Sequence, residues 1–74
     1  GKKVSYTASI TSKSITFKVS SKYANENIDI YVNNDYLLTA KVSKKGIIKV
    51  KSNNKIGKII TDALNMHEQV ELFL

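Results

Sequence analysis

Residues 26–32 read ENIDIYV and residues 68–74 read EQVELFL, and this repeated stretch decides the expected fold. Each position keeps its chemical class in the two copies, for example Ile30 against Leu72. In both copies apolar residues alternate with polar or aromatic residues, which is typical of a β-strand with one buried face. The repeat therefore predicts two equivalent strands in a fold of two related halves.

The same alternation runs through most of the chain, and a helical period replaces it only toward the end. Residues 4–10 carry apolar side chains at every second position, whereas Ile56, Ile60 and Ala63 follow helical spacing. We therefore expect a mainly β fold with one short helix, in a single domain that spans residues 1–74. The expected strands lie near residues 4–10, 14–20, 27–32, 36–42, 47–51 and 69–74, and the expected helix lies near residues 55–64.

Two lysine-containing turns are expected to close hairpins. The first joins the strands within residues 8–19, and the second, residues 43–46 (SKKG), joins the strands near 36–42 and 47–51 with a glycine in the left-handed position. Asn65 is expected to end the helix in the left-handed conformation.

The two related halves are expected to span residues 8–32 and 40–74, each in the order strand, strand, connector, strand. Charge follows the same division: residues 1–22 hold five lysines and no acid, and residues 41–58 hold seven lysines and no acid. The six acidic residues all fall outside these basic segments. If the halves pair about a pseudo-twofold axis, the lysines gather on one side. The pattern predicts a small barrel with one basic side.

The composition limits both stability and recognition. The 74 residues include no cysteine and no arginine, and 12 lysines against six acidic residues give a net charge of +6. Without disulfides or thiolate metal sites, a small core is expected to gain from a second subunit in a homodimer. The absence of arginine removes the bidentate contacts that read guanine edges. No apolar run approaches the about 18 residues of a membrane-spanning segment.

Three segments resemble the SpoVT/AbrB group of swapped-hairpin barrels: KVSKKGIIKV at residues 41–50, ITDAL at 60–64 and QVELFL at 69–74. Upstream, TSKSI at 11–15 and ENIDIYVNND at 26–35 are similar to the same pieces, with the helix reduced to a turn. The resemblance implies a cradle-like barrel that lays basic hairpins on DNA. That family usually builds the barrel from two chains, and here one chain would supply both halves. The arginines with which the family faces DNA have no arginine counterpart here.

The lysines in and beside the expected hairpins are the strongest candidates for a nucleic-acid-binding surface. On the expected strand 47–51, Lys49 and Lys51 face away from Ile48 and Val50, so their ammonium groups could meet a phosphate backbone without disturbing the core. The alternative is a solvated strand face that protects a sheet edge from aggregation. The candidate residues are Lys13, Lys18, Lys41, Lys44, Lys45, Lys49 and Lys51.

Tyr31 and Phe73 take equivalent positions in the repeated stretch and are expected to point away from the core. They are candidates for a protein interface. Stacking on nucleic acid is disfavoured, because Asp29 and Glu71 stand beside them and would repel phosphate. His67, the only histidine, is expected in an exposed turn without a metal.

No residue pattern points to catalysis, a cofactor or a metal. The chain lacks a cysteine nucleophile, a glycine-rich phosphate loop and a supported pair of carboxylates, so an enzyme is not expected. We expect a protein that binds nucleic acid, chiefly DNA, as a regulator or an architectural protein, which would place it in the cytoplasm. Two alternatives stay open: an extracellular immunoglobulin-like β-sandwich module of a cell-surface protein, and a protein-interaction or oligomerisation domain of a larger chain.

Overall fold

The computed structural model describes all residues from 1 to 74 and contains seven β-strands and one α-helix. The strands form two antiparallel sheets, so the prediction of a mainly β fold with one short helix is confirmed. The strands are β1 (Lys3–Val4), β2 (Thr7–Ile10), β3 (Ser14–Lys18), β4 (Asn27–Val32), β5 (Asp35–Lys41), β6 (Ile47–Lys51) and β7 (Val70–Phe73), and the helix is α1 (Lys55–Asn65).

The repeated stretch forms the centre of the four-stranded sheet, whose strand order is β1-β7-β4-β5. β4 and β7 run antiparallel with Ile30 opposite Leu72, two residues that the repeat matches with each other. Both side chains are fully buried, whereas Tyr31 and Phe73 on the opposite face are half-buried. Alternation along β4 and β7 therefore separates a core face from an outer face.

The three-stranded sheet has the order β2-β3-β6 and shows the same relation between the halves. In the β3–β6 pairing Phe17 lies opposite Ile48, and both side chains are buried. These two residues also correspond when residues 8–19 and 40–50 are aligned at their shared Lys-Val ends. In each sheet, then, one pair of neighbouring strands joins the first expected half of the chain to the second: β4 with β7 and β3 with β6.

One hydrophobic core fills the space between the two sheets. The four-stranded sheet contributes Ile28 and the three-stranded sheet contributes Ile15, while α1 adds Ile60 and Ala63. The Cα radius of gyration is 11.2 Å, close to the about 11 Å expected for a compact chain of this length. A single chain therefore encloses the core.

Both ends of α1 are capped, and the C-terminal cap differs from the prediction. The Asn54 side chain accepts a backbone N–H in the first turn. At the other end His67, with a φ of 56°, is the left-handed residue, whereas Asn65 stays in the last helical turn. The Glu68 N–H donates to the Ala63 carbonyl at 2.8 Å, which is the defining bond of a Schellman motif. Asn65 is the last residue of α1, but the left-handed conformation expected at Asn65 occurs at His67 instead.

The expected hairpin between β5 and β6 does not form. β5 pairs with β4 and β6 pairs with β3, so residues 43–46 carry the chain from one sheet to the other. The Ser43 N–H donates to the Ile47 carbonyl at 2.9 Å, as it would in a hairpin. Pairing stops there, because the Val42 N–H donates to the Glu26 carbonyl at 2.9 Å instead.

The expected strand near residues 4–10 is interrupted at Ser5 and Tyr6. β1 pairs with β7 in one sheet and β2 pairs with β3 in the other, so the chain crosses between the sheets here as well. The Tyr6 hydroxyl donates to the Val70 carbonyl at 2.7 Å. Its ring meets the Phe17 ring edge-on, with 5.2 Å between the centroids. The Tyr6 side chain thus contacts both sheets where the chain passes from β1 to β2.

The turns after β4 and β3 can be explained by their local sequence and backbone conformation. Asn33 and Asn34 join β4 to β5 with φ values of 49° and 70°, the pair of left-handed residues that a tight type I′ hairpin turn requires. The expected strand near residues 14–20 ends at Lys18, because a 3₁₀ turn follows at Ser21–Tyr23.

The seven strands lie in two separate sheets and do not close into a barrel. α1 has 11 residues, and neither its length nor its apolar character suits a membrane-spanning helix.

Candidate functional site

The outer face of the three-stranded sheet carries ammonium and hydroxyl groups and no carboxylate. Along β3 and β6 every second side chain is buried, which turns the intervening residues outward. Thr7 and Ser9 of β2 lie opposite Lys18 and Thr16 and extend the same face. We call this surface the basic sheet face, and its residues are Thr7, Ser9, Ser14, Thr16, Lys18, Ile47, Lys49 and Lys51.

Each exposed lysine of β6 has a hydroxyl side chain as its cross-strand neighbour. Thr16 lies opposite Lys49, and Ser14 lies opposite Lys51. The two lysines are two positions apart along the strand, a rise of about 7 Å. Phosphate oxygens accept hydrogen bonds from both ammonium and hydroxyl groups, so the arrangement offers paired donors at a regular interval.

The structure brings together six of the seven lysines that the sequence singles out. Lys18, Lys49 and Lys51 lie on the basic sheet face itself. The other three of the six lie in turns next to this face: Lys13 between β2 and β3, and Lys44 and Lys45 between β5 and β6. The Gly46 carbonyl ties the second turn to the end of β3 by accepting the Val19 N–H at 2.8 Å. Lys41 does not belong to this group, because β5 places it opposite Asn27 in the four-stranded sheet.

Two further lysines flank Tyr23, and sequence reasoning did not select them. The Lys22 Nζ lies 5.2 Å from the centroid of the Tyr23 ring and the Lys2 Nζ lies 5.8 Å from it, both within range of a cation–π contact. A contact between Lys22 and Tyr23 could be predicted, because the two residues are adjacent in the sequence. The contact between Lys2 and Tyr23 could not be predicted, because only the fold brings these two distant residues together.

The outer face of the four-stranded sheet has the opposite character. The carboxylates of Asp29 and Glu71 and the rings of Tyr31 and Phe73 line an open groove of about 340 Å³. The Tyr31 and Phe73 rings are perpendicular, with an interplanar angle of 89° and 5.5 Å between the centroids. We call this the aromatic groove, and the residues that line it are Gly1, Asp29, Tyr31, Asn34, Glu71, Phe73 and Leu74. The two aromatic residues that the sequence proposed for an interface thus meet in one site.

The two carboxylates of the aromatic groove differ in their partners. Glu71 forms an ion pair with Lys3, with 2.9 Å between the Lys3 Nζ and a Glu71 carboxylate oxygen. Asp29 has no cationic partner, and its Oδ1 accepts the Thr39 hydroxyl at 2.6 Å. The Thr39 hydroxyl is in turn 2.7 Å from the Tyr36 hydroxyl. Asp29 is therefore outside any ion pair, and the hydrogen bond from Thr39 positions its carboxylate.

The surroundings of Tyr6 change the pKa of its hydroxyl. Burial raises the pKa of the Tyr6 hydroxyl above its ordinary value, and the Glu71 carboxylate adds to that rise while Lys3 opposes it. The hydroxyl faces a backbone carbonyl, so it serves the fold and not either outer surface.

Comparison of the chain with protein-family models, curated proteins and solved structures finds no match. The basic sheet face and the aromatic groove are the two surfaces whose chemistry indicates a function. They lie on different sheets and carry opposite charge.

Proposed function

We propose that the protein binds nucleic acid, chiefly DNA, through the basic sheet face. The observation that carries the proposal is the segregation of charge. Three lysines and five uncharged residues make up this face, while β2, β3 and β6 contain no acidic residue. Such a surface attracts a phosphate backbone over its whole area, and the lysines in the adjoining turns extend it.

The chemistry of the basic sheet face favours contacts with phosphates over contacts with bases. The chain has no arginine for bidentate recognition of guanine. No aromatic ring lies on this face, so unpaired bases find no stacking platform there. We therefore expect strong dependence on salt and little preference for base sequence, as suits an architectural protein.

The pairing of strands from different halves of the chain supports the resemblance to swapped-hairpin barrels. β3 of the first half pairs with β6 of the second, and β4 pairs with β7. This pairing supports a repeat of residues 8–32 in residues 40–74, and a barrel-like ancestry for the two sheets. A homodimer belongs to the same proposal, because two copies would double the number of lysines that face one duplex.

The test is a titration of fluorescent duplex DNA at several salt concentrations with two matched variants. Lys49→Glu/Lys51→Glu reverses two charges on the basic sheet face, and Lys55→Glu/Lys58→Glu makes the same change on exposed positions of α1. Binding by the unmodified chain should weaken by about 0.9 log units per phosphate contact for each tenfold rise in salt. The β6 variant should lose binding, and the α1 variant should keep most of it.

Two results would contradict the proposal. Equal losses in both variants would show that only net charge matters, and no binding at low salt would show that the face is merely solvated. Competition by inorganic polyphosphate adds a further check, since a surface that reads only phosphates should accept it nearly as well as DNA.

The alternative of a sandwich module in a surface protein has one observation in its favour. Two antiparallel sheets face each other across one core, as that architecture requires. The lack of any DNA binding in the titration above, with the fold intact, would make this the preferred function.

A further inference from the structure

We propose that the aromatic groove binds an organic ammonium cation, of the quaternary or alkylammonium class. This site is separate from the basic sheet face and does not depend on the proposed binding of nucleic acid. Its volume of about 340 Å³ falls at the lower end of the range for small-molecule sites, about 300 to 1,000 Å³.

The geometry of the rings supplies the first argument. A cation binds over the negative face of an aromatic ring, and two rings at right angles offer two faces to one charged group. Tyr31 and Phe73 meet at 89°. Tyr36 continues the cluster, with 70° between its ring and that of Tyr31 and 5.8 Å between the centroids. Tyr36 does not line the groove itself, so Tyr31 and Phe73 would form the corner of an aromatic cage there.

The charge of the groove supplies the second argument. Asp29 and Glu71 both line it, and Lys3 neutralises only Glu71. The Asp29 carboxylate is held by Thr39, so it need not reorganise when a cation arrives. Among the side chains that line the groove, an anionic ligand would meet two carboxylates and two aromatic rings and no cation, and would be disfavoured.

The same residues disfavour a hard metal ion. Calcium requires six to eight oxygen ligands, whereas two carboxylates line the groove and one of them is already paired. A soft, weakly hydrated organic cation can use the ring faces as well as the carboxylate, so the groove suits it better.

The test compares choline with its neutral carbon isostere, 3,3-dimethyl-1-butanol, by NMR titration of the isotopically labelled 74-residue chain. The two probes have nearly the same shape, so the difference in affinity reports the charge. We expect choline to shift the resonances of Asp29, Tyr31 and Phe73, and to bind about tenfold more tightly than the alcohol.

Matched variants separate the groove from the general charge of the protein. Asp29→Asn keeps the size of the side chain and an acceptor for Thr39, and should weaken choline binding several-fold. Asp35→Asn removes one charge from an exposed residue that does not line the groove, and should leave binding unchanged. Amide spectra of both variants check that the fold is retained.

Three outcomes would overturn the proposal. Equal affinity for choline and the alcohol would make the groove an apolar cleft without cation selectivity. Equal losses of choline affinity in Asp29→Asn and Asp35→Asn would show that choline responds only to the overall charge of the protein. The absence of any shift at millimolar choline would exclude the site.

Discussion

His67 holds a left-handed backbone at the end of α1, where glycine is the residue most often found. A side chain in this region costs about 1 kcal/mol relative to glycine. His67→Gly should therefore raise the free energy of unfolding by about 0.5 to 1 kcal/mol, measured by urea denaturation.

The neighbouring Met66 provides the control for this prediction. It is 69% exposed and has a φ of −93°, so it is under no left-handed strain. Met66→Gly should lower stability, because the unfolded chain gains freedom without any relief in the folded state. A stability gain from both glycines would show that the left-handed conformation is not the cause.

Tyr6 makes stability depend on pH in the alkaline range. Its pKa is raised in the folded protein, chiefly by burial, so the folded state binds the hydroxyl proton more tightly than the unfolded chain does. The resulting stabilisation is complete below the ordinary pKa of about 10 and is lost as pH rises through the folded-state value.

Tyr6→Phe isolates this effect from the titration of other groups. At neutral pH the variant should be about 1 kcal/mol less stable, because the Val70 carbonyl loses its hydroxyl donor. The difference between the two proteins should shrink as pH rises above about 10, followed by urea denaturation. A difference that stays constant across that range would contradict the raised pKa.

The pairing of β4 with β7 carries a prediction about the two halves of the fold. Ile30 and Leu72 are opposite each other and fully buried. Ile30→Ala and Leu72→Ala should each lower the free energy of unfolding by about 2 to 5 kcal/mol. Because the residues are cross-strand neighbours, the double variant should depart from additivity by at least about 0.5 kcal/mol.

Leu74→Ala is the matched control for those truncations. Leu74 ends the same repeated stretch but is 37% exposed, so its loss should be clearly smaller. A severe loss at Leu72 beside almost none at Ile30 would mean that the two halves are not equivalent.

Strand identity could be predicted from the sequence, but strand partners could not. The alternation in β4, β6 and β7 marks their buried faces, and the structure agrees. The residues around Gly46 have the chemistry of a hairpin turn, which is a local signal. β5 nevertheless pairs with β4, from Val32–Asp35 to Asn27–Lys41, and the Val42–Glu26 hydrogen bond continues this pairing past the end of β5. Local sequence does not report that contact.

For the candidate sites, too, the sequence predicts what lies on a single strand and does not predict what depends on which strands pair. Lys49 and Lys51 could be placed on one outer face because a single strand fixes their direction. The sequence groups Lys41 with them only through the expected hairpin; that hairpin does not form, and Lys41 lies in the other sheet. The aromatic groove forms only where β4 and β7, from different halves of the chain, lie side by side. The sequence therefore indicates its residues one by one and does not predict a cavity.

The two candidate surfaces occupy the outer faces of different sheets, and the inner faces of both sheets contribute to the core. Packed sheets lie about 10 Å apart, and the outward side chains lie farther apart still. Sites at such distances usually act additively. Lys49→Glu/Lys51→Glu should therefore bind choline as the unmodified chain does, and Asp29→Asn should bind duplex DNA with nearly unchanged affinity.

A competition experiment examines the same independence in the unmodified protein. Saturating choline, compared with an equal concentration of sodium chloride, should leave the affinity for duplex DNA unchanged, because the choline cation occupies the aromatic groove and both salts screen the basic sheet face equally. Displacement of DNA by choline beyond the effect of sodium chloride would require the two surfaces to be coupled. It would also require the sheets to shift against each other across a core in which Phe17, Ile30 and Leu72 are fully buried.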